Sequence, residues 1–376
     1  MDLYPWEKEA YEELKKMYTT FFMRLSELGM HCFRIDSKEL FCKNVKELCN
    51  CQKEEIQNFW NKYIDDLDLN YHAYYIDRSG QFDVRFIPDD IFAGYIDGYL
   101  NNRTIEAGVS DKNYLDLYLA GFKMPRTILH YINGYFEDSS YSLLDKDSAI
   151  KKLVNEKKFI VKPSMASYGG EGFKIFVNAT FAELEKYIDA LDIKNLIFQE
   201  VVEQHEMTGI LHPQSLNTIR VMTLLIDDVK VLHSAFRMGV GNNNVDNASK
   251  GGIYCSINND GRLSNFAYDA RGNLYYEHPD GGSFSQVQFD FMEKINSMVK
   301  KAALRFPHFR LIGWDIAVGK DSEPIIIEAN LTMSSIDVIE TICGPLFGEY
   351  TEQVLEEIFL KKKKAPVLSM DILQYL

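Results

Sequence analysis

A chain of 376 residues with 46% hydrophobic and 26% charged residues is long enough for two or three packed subdomains around a real core. Forty-one Lys and Arg against 55 Asp and Glu leave a net charge of −14, which argues against nucleic acid as a partner, because phosphate-backbone binding needs a basic footprint. No run approaches the ~20 apolar residues of a membrane span, and the polar start Met1–Glu9 lacks the charged-then-apolar order of a signal peptide, so a cytoplasmic location is expected.

In chain order, the first hundred residues read as helical. Tyr11 to Leu28 carries apolar residues at helical spacing, and Gln52 to Asp66 places Ile56, Phe59, Trp60, Tyr63 and Ile64 on one stripe. Four of the six cysteines, Cys32, Cys42, Cys49 and Cys51, crowd into this part. They lack the paired spacing of a zinc site and read as reduced structural thiols.

From about residue 110 strands alternate with helices. Asp111 can cap a helix through Leu115, Tyr118 and Leu119, closed by Gly121 and Pro125. Phe159-Ile160-Val161 and Phe173 to Val177 are expected strands. Thr180-Phe181-Ala182-Glu183 is a capping box opening a helix to about Ala190. Further strands are expected at Leu196 to Gln199, Thr218 to Ile226 and Val229 to Val240. Val287, Phe291, Ile295, Met298, Ala302 and Phe306 mark an amphipathic helix. Strands around Trp314-Asp315-Ile316 and Ile325-Ile326-Ile327-Glu328 follow, and a last helix ends in the basic run Lys361 to Lys364, read as a solvated helix end.

Two stretches carry chemistry. Residues two apart in a strand share a face, so Glu328 and Asn330 present oxygens side by side while Ile327 and Ala329 face the core. Asp315 on the preceding strand adds a third, and three hard oxygen donors suit Mg²⁺. The stretch Lys162-Pro163-Ser164-Met165-Ala166-Ser167-Tyr168-Gly169-Gly170-Glu171-Gly172 ends a buried strand in a lysine and continues as a small-residue loop, whose backbone N–H groups can close over phosphate oxygens. It is not a Walker loop, since the lysine precedes the glycines.

These residues, with Asp111-Lys112, Gln199-Glu200-Val201-Val202 and Asp315, occur in the order found in the ATP-grasp superfamily. Residues 110–340 are similar to the D-alanine–D-alanine ligases. Ile87-Pro88-Asp89-Asp90, Ser215 to Val221, Val245-Asp246-Asn247 and Gly251-Gly252 resemble the sugar-transfer-associated ATP-grasp group. The resemblance implies an α+β fold, two subdomains clasping ATP, at 109–204 and 205–360, behind a mainly helical region 1–108 and before a tail 361–376. It implies that Lys112 and Lys162 contact ATP phosphates beneath a lid of Ser164, Ser167, Gly169 and Gly170. Glu200 and Val202 would meet the adenine edge, and His205 or Glu206 the ribose. Asp315, Glu328 and Asn330 would hold Mg²⁺, and Arg220 and Arg237, with Asn217 beside them, would serve the transferred phosphoryl group.

The implied activity joins a carboxylate to an amine through an acyl phosphate, on a sugar, a sugar nucleotide or a surface-polysaccharide precursor. A kinase of the same fold and a non-catalytic nucleotide-binding module are the alternatives. Two departures from the ligase pattern stand out. Gly313 replaces the arginine two residues before the first metal aspartate, so either Arg220 or Arg237 substitutes for it or the chemistry differs, and the helical N-terminal region differs from the α/β domain of those ligases. Asp246-Asn247 and Gly251-Gly252 read equally as turn residues or as substrate contacts.

Overall fold

The strands form two antiparallel sheets, the first with one face committed to a core and the second packed on both faces. The computed structural model describes residues 45–165, 172–243, 246–247 and 250–361. The expected helix Tyr11 to Leu28, Cys32, Cys42, lid residues Ser167, Gly169 and Gly170, Val245 and Lys362 to Lys364 lie outside the described residues.

The first sheet comprises β1 (Thr127–Ile132), β2 (Tyr135–Asp138), β3 (Leu143–Leu144), β4 (Lys158–Pro163), β5 (Lys174–Val177) and β6 (Leu196–Glu200), in the order β3-β2-β1-β6-β4-β5. Phe159 and Val161 alternate with Ile160 and Lys162 along β4. The first pair packs with Phe176, Phe198 and the helices Lys146–Val154 and Phe181–Asp189, which turns Lys162 to the opposite face. The expected capping box at Thr180 is present, Thr180 and Glu183 exchanging bonds between side chain and backbone.

The second sheet comprises β7 (Thr218–Leu225), β8 (Val229–Met238), β9 (Ile253–Ser256), β10 (Ala267–Asp269), β11 (Leu274–Tyr275), β12 (Leu311–Val318) and β13 (Pro324–Asn330), in the order β11-β10-β9-β8-β7-β12-β13. Ile219, Val221, Trp314 and Ile316 pack against Ile295, Val299 and Ala302 of the helix Met292–Ala303. That helix is shorter than its sequence pattern: Val287 and Phe291 are buried, but in the segment that leads into it. On the other face, Met222, Leu224 and Leu311 pack with Ile56, Trp60, Ile91 and Ile96 of the N-terminal layer and with Ile336 and Ile339 of the helix Ile336–Cys343. The N-terminal helix of that layer runs Asn50–Trp60, ending before Tyr63 and Ile64. The expected helix after Asp111 is only one turn, Leu115–Tyr118. Among the described residues no helix is long and apolar enough to cross a membrane.

Glu340 ties these layers together. Fully buried, its carboxylate accepts the N–H of Ile87 at 2.9 and 3.0 Å and that of Leu346 at 2.8 Å. Glu340→Ala would strand two buried donors, so a loss of roughly 2–4 kcal/mol is expected in denaturant unfolding. Glu340→Gln keeps one acceptor oxygen and should recover part of it.

Candidate active site

The uncovered part of the second sheet's inner face lies where the first sheet approaches it. Asp111 Oδ1 accepts the Asn113 N–H at 2.9 Å, and the Lys112 N–H donates to the Ser164 carbonyl at 3.0 Å. This turn is thereby stitched to the end of β4, two residues beyond Lys162. Lys112 Nζ then reaches the other sheet and pairs with Glu328 Oε1 at 2.8 Å. Lys162 feels both charges: burial and the neighbouring Lys112 push its pKa down to about 8, against the pull of Glu328. Ser164 is fully buried, and its Oγ has no hydrogen-bond partner among the described residues.

A β-bulge aims Glu328. Asp315 pairs with Glu328, but the next pair is Ile316 with Ile326, leaving Ile327 as the extra residue. Ile326 and Ala329 therefore join the core, while Glu328 and Asn330 turn to the site. The expectation that Ile327 faces the core is corrected: it is half-buried, and Ile326 takes that place. Bulges of this kind re-aim side chains beside active sites.

Asp315 also pairs with Arg220 on β7. Its Oδ1 accepts Arg220 Nε at 2.5 Å, and its Oδ2 accepts Arg220 Nη2 at 3.1 Å and Arg237 Nη1 at 3.0 Å. Burial would raise this carboxyl; the two guanidiniums outweigh it and hold it well below the usual carboxylate range. Gly313 makes room for the arrangement, since a Cβ there would lie 3.4 Å from Arg220 Cδ and 3.2 Å from Ser334 Oγ. Asn330 Nδ2 donates to the Gly313 carbonyl at 3.0 Å and lies 3.5 Å from Asp315 Oδ2.

Asp246 completes the cluster. It accepts the N–H of Thr218 at 3.0 Å and also its hydroxyl, and lies 3.7 Å from Arg237. Burial pushes its carboxyl up, opposed by Arg237 and Thr218. The glycines after it shape the loop: Gly251 has φ +90°, and a Cβ on Gly252 would fall 2.5 Å from the Asp246 carbonyl oxygen. Four cations, Lys112, Lys162, Arg220 and Arg237, therefore meet Asp315, Glu328 and Asp246, and Arg220 also acts on the carboxylate of Asp337. A chain of net charge −14 thus gathers four basic side chains in one place, where a polyanion could meet them.

The remaining expected residues are placed elsewhere. Asn217 brings no atom to this cluster: its Nδ2 donates to the carbonyls of Thr208 and His212, both at 2.7 Å, and its Oδ1 accepts from Ser215 and Gly239. It braces the strand that carries Arg220. Glu200 ends β6 with Oε1 accepting the Arg126 N–H at 3.0 Å, and Val202 follows in the extended connection to His205. His205 caps the turn Glu206–Gly209, its Nδ1 accepting the Met207 N–H at 3.2 Å, and Glu206 is exposed. Sequence reasoning missed a buried pair behind Lys112, His130 Nδ1 and Asn113 Oδ1, 3.2 Å apart. His130, Ile197 and Lys162 are successive cross-strand partners on one face, a relation that only the register reveals.

The donor set fits a hard cation that shares itself with phosphates: two carboxylates on paired strand positions and a carboxamide two residues on. Among the described residues no group of three or more His, Cys, Asp and Glu side chains could hold a metal ion, so any metal here would take the carboxamide or phosphate oxygens as well.

Two antiparallel sheets closing lysines, arginines and carboxylates on one cationic pocket define a chain built to clasp an anionic ligand. The chain belongs to the sugar-transfer associated ATP-grasp family, whose model matches residues 93–345. No curated protein matches it. Among solved structures it is similar to D-cycloserine synthetase DcsG, at 14% identity over 65% of this chain and 70% of that one, TM-score 0.40. It is also similar to the ATP-grasp ligase PsnB complexed with minimal precursor, Mg and ADP, at 16% identity over 68% and 62%, TM-score 0.39. The D-alanine-D-alanine ligase from Coxiella burnetii matches at 10% over 68% and 60%, TM-score 0.39. The matches span 45–70% of such chains.

Proposed function

We propose that this chain is an ATP- and Mg²⁺-dependent ligase that activates a carboxylate as an acyl phosphate and passes it to an amine, with ATP clasped between residues 109–204 and 205–360. The observation that carries the reading is the Lys112–Glu328 ion pair at 2.8 Å, which closes the first sheet on the second with Lys162 beside it. Lys112 and Lys162 bind and orient the phosphates. Asp315, Glu328 and Asn330 would hold Mg²⁺, which neutralises charge on the phosphate oxygens when bound. Arg220 and Arg237, fixed by Asp315, present preorganised positive charge to the transferred phosphoryl group. Positioning and charge neutralisation, rather than covalent work by the protein, account for catalysis of this kind. Family membership supports an acceptor on a sugar, a sugar nucleotide or a surface-polysaccharide precursor, handled in the cytoplasm.

Incubation with ATP, Mg²⁺, hydroxylamine and a panel of small carboxylates and sugar nucleotides tests the reading. ADP release with a matching hydroxamate is the expected result. ADP without hydroxamate, in the presence of a phosphorylated hydroxyl, would replace the ligase with a kinase. No ADP with any acceptor would favour a nucleotide-binding module.

A further inference from the structure

The exposed start of the helix Asn50–Trp60 carries two thiols. Cys49 is the N-cap and Cys51 the second helical residue, and their Sγ atoms lie 2.6 Å apart. The two sulfurs are in direct contact, so little movement separates them from a covalent S–S bond. Both side chains are exposed. The helix end also favours the thiolate of Cys49: the Gln52 N–H donates to its Sγ at 3.4 Å, while the Gln52 side chain accepts the Cys49 N–H at 3.0 Å. The hydrogen bond from Cys51, then that from Gln52, pulls the Cys49 thiol below its ordinary value, whereas the shared bond raises Cys51. This is the division between an attacking and a resolving thiol. Cys255 contrasts with them: it is buried, and burial pushes its thiol up to about 12.

We propose that Cys49 and Cys51 form a dithiol site that exchanges with small-molecule disulfides and closes to an intrachain disulfide. The Cys49 thiolate attacks one sulfur of a disulfide R–S–S–R. That S–S bond breaks, one RS⁻ leaves, and a mixed disulfide Cys49–S–S–R remains. Cys51, its proton released to solvent, attacks the Cys49 sulfur and expels the second RS⁻. Two protein thiols are oxidised by two electrons, one small disulfide is reduced, and the two protons end on the two RSH products.

The test uses the full chain, incubated with oxidised glutathione, quenched with iodoacetamide and mapped by peptide mass. The expected product is a peptide containing Cys49 and Cys51 that is lighter by two hydrogens, escapes alkylation and regains it after dithiothreitol. In C51S the reaction should stop at a glutathione adduct on Cys49, and C49S should react at least tenfold more slowly. Full alkylation of both thiols in the wild-type chain, or linkage of either to Cys32 or Cys42 instead of to each other, would overturn the proposal.

Discussion

Asp315→Ala is expected to destabilise the chain by about 3–5 kcal/mol and to lower ATP turnover ~10²-fold or more. Asp315 is 7% exposed and accepts three hydrogen bonds from two guanidiniums. Without it Arg220 and Arg237 would stand side by side, Arg237 with Asp246 at 3.7 Å and Arg220 with only the longer-range charge of Asp337. An uncompensated buried charge costs far more than its ion pair contributes. The two consequences separate in a compensated variant. Asp315→Leu combined with Arg220→Met removes one cation along with the carboxylate, leaves Arg237 to Asp246, and should recover much of the stability. Turnover should stay lost, because one of the two guanidiniums facing the phosphoryl group and a proposed Mg²⁺ ligand have gone. Denaturant unfolding and ADP release measure the two quantities; a compensated variant that regained activity would show that Asp315 and Arg220 serve the fold alone.

Much of this arrangement was legible because it follows strand parity. Glu328 and Asn330 are two residues apart and share a face whatever their surroundings, and Phe159-Ile160-Val161-Lys162 alternates so plainly that Lys162 had to face away from the core. The bulge at Ile327 was not legible, since it exists only in the pairing with β12. Without it Ile326 would share a face with Glu328 instead of joining Ala329 in the core. The partner of Lys112 lies 216 positions along the chain, and no local pattern encodes that contact.

Other omissions had a signal. Asn133-Gly134 links β1 to β2 with φ of +49° and +89°, the left-handed pair that a tight hairpin demands. That dipeptide between two apolar runs could have located a hairpin that the sequence reading passed over. Asn217 has hydrogen-bonding duties that its sequence did not show. Its place beside Arg220 in the motif resembled a site residue, but a side chain with two donors and an acceptor, buried among carbonyls and an N–H, is consumed by satisfying them.

ATP affinity is expected to fall as pH rises above about 8, by up to tenfold per unit, through Lys162. In the ligand-free protein burial and Lys112 hold this lysine near 8, below its ordinary 10.4 or so. The sign for stability follows directly. Between these two values the unfolded chain keeps a proton that the folded chain has released, so Lys162 makes stability rise with pH in this window. A triphosphate laid against Lys162 reverses the preference by favouring the ammonium, so binding in the same window must take up a proton. At pH 8.5 the terminal phosphate of ATP is already ionised, and Lys162 would account for roughly three quarters of a proton per site. Calorimetric titration of the chain with ATP, in two buffers of different ionisation heat, reads this directly. The apparent enthalpies should diverge at pH 8.5, and Lys162→Met should abolish that divergence while weakening binding. Equal enthalpies in the two buffers at pH 8.5, with binding intact, would place Lys162 away from the phosphates and remove the first sheet's charge from the clasp.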